Sequence, residues 1–199
     1  MRALFYSFCK LFTWAFLKLY NGLEVRGVEH IPKSGPFLLA STHHSNLDPV
    51  AVGSACPRRL RFLAKRELFS NRAFGWLISA LGAIPLPRGE VGMAAMKEAL
   101  KVLSRGEGLL IFPEGTRGPE GAIRPLQEGV AFLALKASVP VVPCLIRGSS
   151  FAMPRGSSFV RPFRIRVLFG KPLYPVEGES RSSFLYRLRC ALEELLAMP

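Results

Sequence analysis

Two hydrophobic periods alternate along this chain. Phe37 to Ser41, Leu109 to Phe112 and Val139 to Ile146 are short, almost continuous apolar runs bounded by turn-forming residues, the pattern of strands buried on both faces. Leu23 to Arg26, Leu60 to Ala64 and Ala83 to Leu86 read as shorter extended segments. Phe163 to Phe169 alternates apolar residues with Arg164 and Arg166, which predicts a half-exposed strand. Between these runs the spacing lengthens to the helical period. A helix is expected from Pro49, with Asp48 as its N-cap, ending before Pro57. Others are expected over Arg72–Leu81, closed by Gly82, and over Met93–Ser104, where Met96, Ala99, Leu100 and Leu103 share a face and Gly106 suits the C-terminal cap. Leu126–Ser138 and Ser182–Leu196 complete the set. Strands alternating with helices predict an α/β single-domain sandwich, with a largely parallel mixed sheet flanked by helices.

Residues Ala3 to Tyr20 are the most apolar part of the chain. On a helix, Leu4, Phe5, Phe8, Leu11, Phe12, Ala15, Phe16 and Leu19 form one broad face. Ser7, Lys10, Thr13, Lys18 and Asn21 form the other, with Trp14 on that side. Spanning a bilayer would bury Lys10 near mid-membrane, at a cost of about 2.5–3.5 kcal/mol. A signal peptide would need an uninterrupted apolar stretch and a small-residue cleavage site, and neither is clear. Two readings stay open: an in-plane interfacial helix with its lysines toward anionic lipid, or a helix packed on the protein's own core. The first divides the chain into a membrane-surface helix (1–22) and a catalytic or binding domain (23–199). It places the protein on a membrane, peripheral or monotopic.

Composition sharpens this picture. The 199 residues carry 27 Lys+Arg against 14 Asp+Glu, a formal net charge of +13, with 49% hydrophobic residues. Mean hydropathy is +0.24. That pairing excludes disorder, which joins high charge to low hydrophobicity. Of the basic residues 19 are arginine, whose planar fork matches phosphate oxygens. Nucleic acid or an anionic membrane are the partners such a surface suits; general solubility is the plainer explanation. No RNP, zinc-finger or helix-turn-helix pattern supports nucleic acid. Cys9, Cys56, Cys144 and Cys190 are widely spaced among apolar neighbours, which argues against zinc, favours reduced buried thiols and points to the cytoplasmic face.

Candidate chemistry gathers in loops that follow expected strands, where ligands of parallel sheets bind. His43 and Asp48 stand in H-x4-D spacing after the Phe37 run. An imidazole accepts a hydroxyl proton near neutral pH, and a carboxylate on its other nitrogen fixes the tautomer. The same pair also reads as a loop histidine beside a helix cap. Phe112-Pro113-Glu114-Gly115-Thr116-Arg117 follows the Leu109 run. Gly115 permits close backbone approach, Thr116 offers a hydroxyl and Arg117 a fork for phosphate; a turn with solvated charges is the alternative. Arg88, after Ile84-Pro85-Leu86-Pro87, and Lys65 are further candidate phosphate contacts. Val139 to Pro143 looks structural.

These blocks together resemble the lysophosphatidate acyltransferase family of PlsC-type glycerolipid acyltransferases. His43 to Asp48 is similar to its H-x4-D motif, Ile84 to Arg88 to its second block, Phe112 to Arg117 to its F-P-E-G-T-R block, and Val139 to Pro143 to its fourth. The order agrees, and 71 residues separate His43 from Glu114. Thr42 stands where many members have Asn. The resemblance implies transfer of an acyl chain from an acyl thioester, acyl-CoA or acyl carrier protein, to the free hydroxyl of 1-acyl-glycerol-3-phosphate. It implies no cofactor and no metal. His43 would be the general base and Asp48 its orienting partner, with no acyl-enzyme. Arg88, Arg117 and Lys65 would hold the phosphate, and Glu114, Gly115 and Thr116 the glycerol portion. Partners would be the lysophospholipid, the acyl thioester and the membrane surface, not nucleic acid. A relative acting on another lysolipid fits the same motifs.

Overall fold

A computed structural model describes residues 2–86 and 91–199 of the chain. Its strands are β1 (Glu24–Arg26), β2 (Phe37–Ser41), β3 (Leu60–Lys65), β4 (Ala83–Leu86), β5 (Gly108–Ile111), β6 (Val141–Arg147) and β7 (Arg166–Phe169). Its helices are α1 (Arg2–Tyr20), α2 (Asp48–Ala55), α3 (Arg72–Ala80), α4 (Val91–Ser104), α5 (Glu128–Ala137), the short α6 (Ser149–Ala152) and α7 (Arg181–Ala197). The strands form one sheet in the order β1-β7-β6-β2-β5-β3-β4. Every neighbouring pair is parallel except β6 and β7, so the expected mixed, mostly parallel sheet is the observed one.

Alternate residues of the central strand supply two separate cores, as the pleat requires. Phe37 and Leu39 join Leu17, Val52, Leu110, Val142 and Val167 on the side of α1 and α2. Leu38 and Ala40 join Ala99, Leu103, Ala131, Phe184 and Leu188 on the side of α4, α5 and α7. Each face is covered by helices, which is why β2, β5 and β6 read as unbroken apolar runs.

Several boundaries differ from expectation. The alternating segment starting at Phe163 is a strand only over Arg166–Phe169, where Val167, Leu168 and Phe169 are buried and Arg166 alone is half-buried. Residues before it are held by Asn21: its backbone carbonyl accepts from Ile165 N, and its side-chain amide donates to Arg161 O (2.7 Å) and Phe163 O (3.0 Å). Asp48 is the first residue of α2 rather than its cap, because its carboxylate turns back to the preceding loop. Cys56 and Cys144 are buried, whereas Cys9 and Cys190 are half-buried, and all four are free thiols. Burial pushes the Cys144 thiol well above its ordinary range.

Helix α1 does not pack its apolar stripe on the core, the second of the two readings. Tyr6, Lys10, Thr13 and Leu17 share one face by spacing, and this face packs on the protein. Leu17 is buried, worth about 2 kcal/mol in apolar area removed from water. Lys10 Nζ donates to Cys56 O at 2.5 Å, and burial lowers the pKa of its ammonium. Lys18 Nζ donates to Leu23 O at 3.1 Å. The lysines expected to face lipid therefore hold carbonyls of this chain. The apolar stripe points outward, with Leu4, Phe8, Leu11, Phe12 and Leu19 at 64–88% exposure. No described helix is long and apolar enough to cross a membrane.

Candidate active site

The carboxyl ends of β2, β5 and β3 lie side by side. His43 leaves the end of β2, and the Phe112–Arg117 segment leaves the end of β5. Pairing of those two strands is what closes the 71-residue gap between His43 and Glu114.

His43 Nδ1 lies 2.8 Å from Asp48 Oδ2. An ionised carboxylate only accepts, so Nδ1 is the donor, and in the neutral ring the lone pair is then on Nε2. The same Oδ2 accepts from His44 N at 2.6 Å and Ser45 N at 2.8 Å. Three donors converge on one fully buried oxygen, which fixes the carboxylate and through it the imidazole. Proline at the second position of α2 leaves no amide there to compete. The His43 ring lies on Phe112, centroids 4.0 Å apart and planes at 21°, a stack that restricts rotation of the imidazole. The histidine side chain keeps 19% exposure, enough to leave an edge open to substrate.

Glu114 clamps this loop from the other strand. Its Oε1 accepts from His43 N at 3.1 Å and its Oε2 from Arg124 N at 3.0 Å, and it is buried. Both oxygens thus serve backbone amides. His43 O in turn accepts from Gly118 N at 2.8 Å. Gly115 has φ +70° in the turn between them, a conformation that costs other residues strain. Gly115 and Thr116 are exposed and Arg117 is partly exposed. Lys65 ends β3 and is exposed, beside Leu86 at the end of β4. Arg88, expected to join it, lies outside the described residues.

Four contributors were not apparent as such in the sequence. Phe112 stacks on the base, Gly118 supplies a backbone donor, and Ser45 Oγ donates to Met153 O at 2.7 Å. Thr42 is buried, and its Oγ1 accepts from Ile146 N at 3.2 Å, tying the loop to β6. Membership of the F-P-E-G-T-R block marks Phe112; for the others no local signal exists, since each partner is distant in sequence. Val139 to Pro143 is largely core: Val141, Val142 and Pro143 are buried in or beside β6.

An apolar cavity of about 100 Å³ lies under α1, lined by Tyr6, Lys10, Thr13, Val50, Gly53 and Phe62 among others. Pro49, next to Asp48, also lines it, so α2, the helix that carries the carboxylate, forms part of its wall.

Residues 22–147 match the family model described as Acyltransferase. The 1-acyl-sn-glycerol-3-phosphate acyltransferase of Bacillus subtilis is 30% identical over 173 residues, 86% of this chain and 84% of that protein. The human 1-acyl-sn-glycerol-3-phosphate acyltransferase alpha is 34% identical over 161 residues; this chain spans 56% of its length, and the match covers 78% of this chain. The crystal structure of the 1-acyl-sn-glycerophosphate (LPA) acyltransferase PlsC from Thermotoga maritima matches with a TM-score of 0.83 at 27% identity, over 100% of this chain and 82% of that one.

Proposed function

The chain belongs to the Acyltransferase family, and from that premise we propose that it acylates the free hydroxyl of 1-acyl-glycerol-3-phosphate to give phosphatidate, with an acyl thioester as donor. One observation carries the chemistry: His43 Nδ1 is committed to Asp48 at 2.8 Å, which leaves Nε2 as the base.

In this mechanism the acceptor hydroxyl donates to His43 Nε2. Its oxygen attacks the thioester carbonyl carbon as the proton passes to the imidazole. Asp48 stabilises the imidazolium that results. The tetrahedral adduct collapses, the C–S bond breaks, and the departing thiolate takes the proton back from His43. No covalent enzyme intermediate is required. Arg117, in the loop after β5, and Lys65, at the end of β3, leave the same edge of the sheet as His43, which supports their binding the acceptor phosphate. Arg88 is assigned the same task from its sequence block. Gly115 and Thr116 lie against the glycerol. Glu114 acts on the glycerol site through the loop it clamps, since its oxygens are already bonded. The apolar cavity under α1, with Pro49 and Val50 of α2 in its wall, supports a place for an acyl chain.

The test is a panel of lysophosphatidate and other lysolipids against acyl-CoA and acyl carrier protein donors, with products read by mass. Phosphatidate from lysophosphatidate is expected, collapsing in His43→Ala. Wild-type turnover in that variant would remove His43 from the mechanism. Preference for another lysolipid would move the assignment to that acceptor, and the donor series identifies the thioester.

A further inference from the structure

The geometry points to residues 153–164, between α6 and β7, as a docking surface for an anionic lipid bilayer at the rim of the active site. One end of this loop touches the catalytic machinery. Met153 O accepts from Ser45 Oγ at 2.7 Å, and Arg155 Nη2 donates to Arg117 O at 2.5 Å. The other end is sewn to the end of α1. Tyr20 OH donates to Val160 O at 3.3 Å, and the Asn21 amide donates to Arg161 O and Phe163 O. Gly148 at φ +82° lets Arg164 O approach where a Cβ would clash, so the loop lies against the protein at a fixed place.

What this anchored loop shows to solvent is unusual. Phe159 is 81% exposed, and Phe151 and Phe163, also exposed, lie against each other with centroids 4.9 Å apart. Isolated exposed rings need no explanation, but a cluster beside an exposed apolar helix face marks an interaction surface. Tyr20, which reaches the loop at Val160 O, and Phe16, stacked on it with centroids 5.2 Å apart, bring the exposed end of α1 to the loop. Charge specifies the occupant. Arg161 is exposed and has no ion pair among the described residues. Arg164 lies near Glu24, which is already engaged by Arg26 and Arg166. Both guanidinium groups are therefore available to phosphate. An acidic protein would pair with the arginines but leave Leu4 to Leu19 of α1 in water. An anionic bilayer covers both, with rings at headgroup depth and arginines on phosphates. Position at the rim of the active site rests on the acyltransferase reading; docking itself does not.

Co-sedimentation of the full chain with vesicles tests this directly. Equimolar phosphatidylglycerol–phosphatidylcholine vesicles are compared with pure phosphatidylcholine. For Arg161→Gln with Arg164→Gln, partitioning onto the anionic vesicles is expected to fall about 25-fold, about fivefold per guanidinium, with little change on neutral ones. Phe159→Ser is expected to weaken both. The circular-dichroism melt should be unchanged for each variant. Wild-type partitioning by both variants would overturn the assignment. So would an arginine effect of equal size on neutral vesicles, or loss of affinity for an acidic protein with vesicle binding intact. The readout is independent of turnover: a wild-type protein that docks but makes no phosphatidate would sink the catalytic reading and leave this one standing.

Discussion

Two loops of this protein invert the usual distribution of polar and apolar side chains. The loop after β2 is polar yet buried: Thr42, His44, Ser45 and Asp48 are at most 4% exposed. The loop after α6 is rich in phenylalanine and arginine, yet lies open. The first is tolerable because most of its buried groups find partners, three of them on Asp48 Oδ2, while Asp48 Oδ1 is buried without one. A catalytic base needs a fixed tautomer and rotamer, and a buried hydrogen-bonded carboxylate supplies both. The second has its backbone fixed while Phe159 and Arg161 stand exposed, which suits a surface that meets a partner. Burial in one case serves orientation of reacting atoms; exposure in the other serves contact.

Substitutions in the two loops should therefore behave oppositely. The largest effect is expected for Asp48→Asn. It gives Nδ1 a poorer partner and sets an amide against backbone donors, so kcat should drop on the order of 10³-fold. Single-turnover kinetics would check that the loss lies in chemistry rather than binding, and a rate near wild type would break the contrast. Glu114→Gln comes next. One backbone donor then faces an NH₂ group, which should cost about 1–3 kcal/mol and lower the melting temperature as well as turnover. A melt unchanged by that variant would show that the clamp is not needed.

Phe112→Leu removes the ring beneath His43. A stacked pair is worth about 0.5–1.5 kcal/mol, so kcat should fall about three- to tenfold while the fold survives, as stopped-flow and thermal melts would show. The smallest effect on stability is expected on the other side of the comparison. Leu11→Ser and Phe159→Ser alter side chains that are 65% and 81% exposed, and surface changes usually stay within about 0.5 kcal/mol. Calorimetry should find their melts at the wild-type position. A marked fall for Leu11→Ser would mean that the outer face of α1 packs against protein in solution.

Much of this arrangement could be read from residues in order. The runs Phe37–Ser41 and Val139–Ile146 reported doubly covered strands because burial on both sides leaves no polar alternation. His43, Lys65 and Arg117 were placeable at strand ends, since parallel strands all carry their following loops to one edge. The role of Glu114 was not legible. A carboxylate in a turn looks alike whether it faces ligand or caps two amides, and its partners, His43 N and Arg124 N, come from separate loops. Asp48 looked like a helix cap for the same reason: a cap and a histidine partner share one residue type and one position.

Helix α1 marks the division most clearly. Its own sequence determined that it is a helix with one strongly apolar stripe, because spacing at the helical period is a local property. Tertiary structure decided that the stripe faces outward. Leu17 finds the core beside Val52 and Val142, and Lys10 reaches the Cys56 carbonyl, contacts that exist only once α2 and the sheet have assembled. Periodicity states what a face is made of. Which face turns inward is settled by distant partners, and those the linear order of residues does not contain.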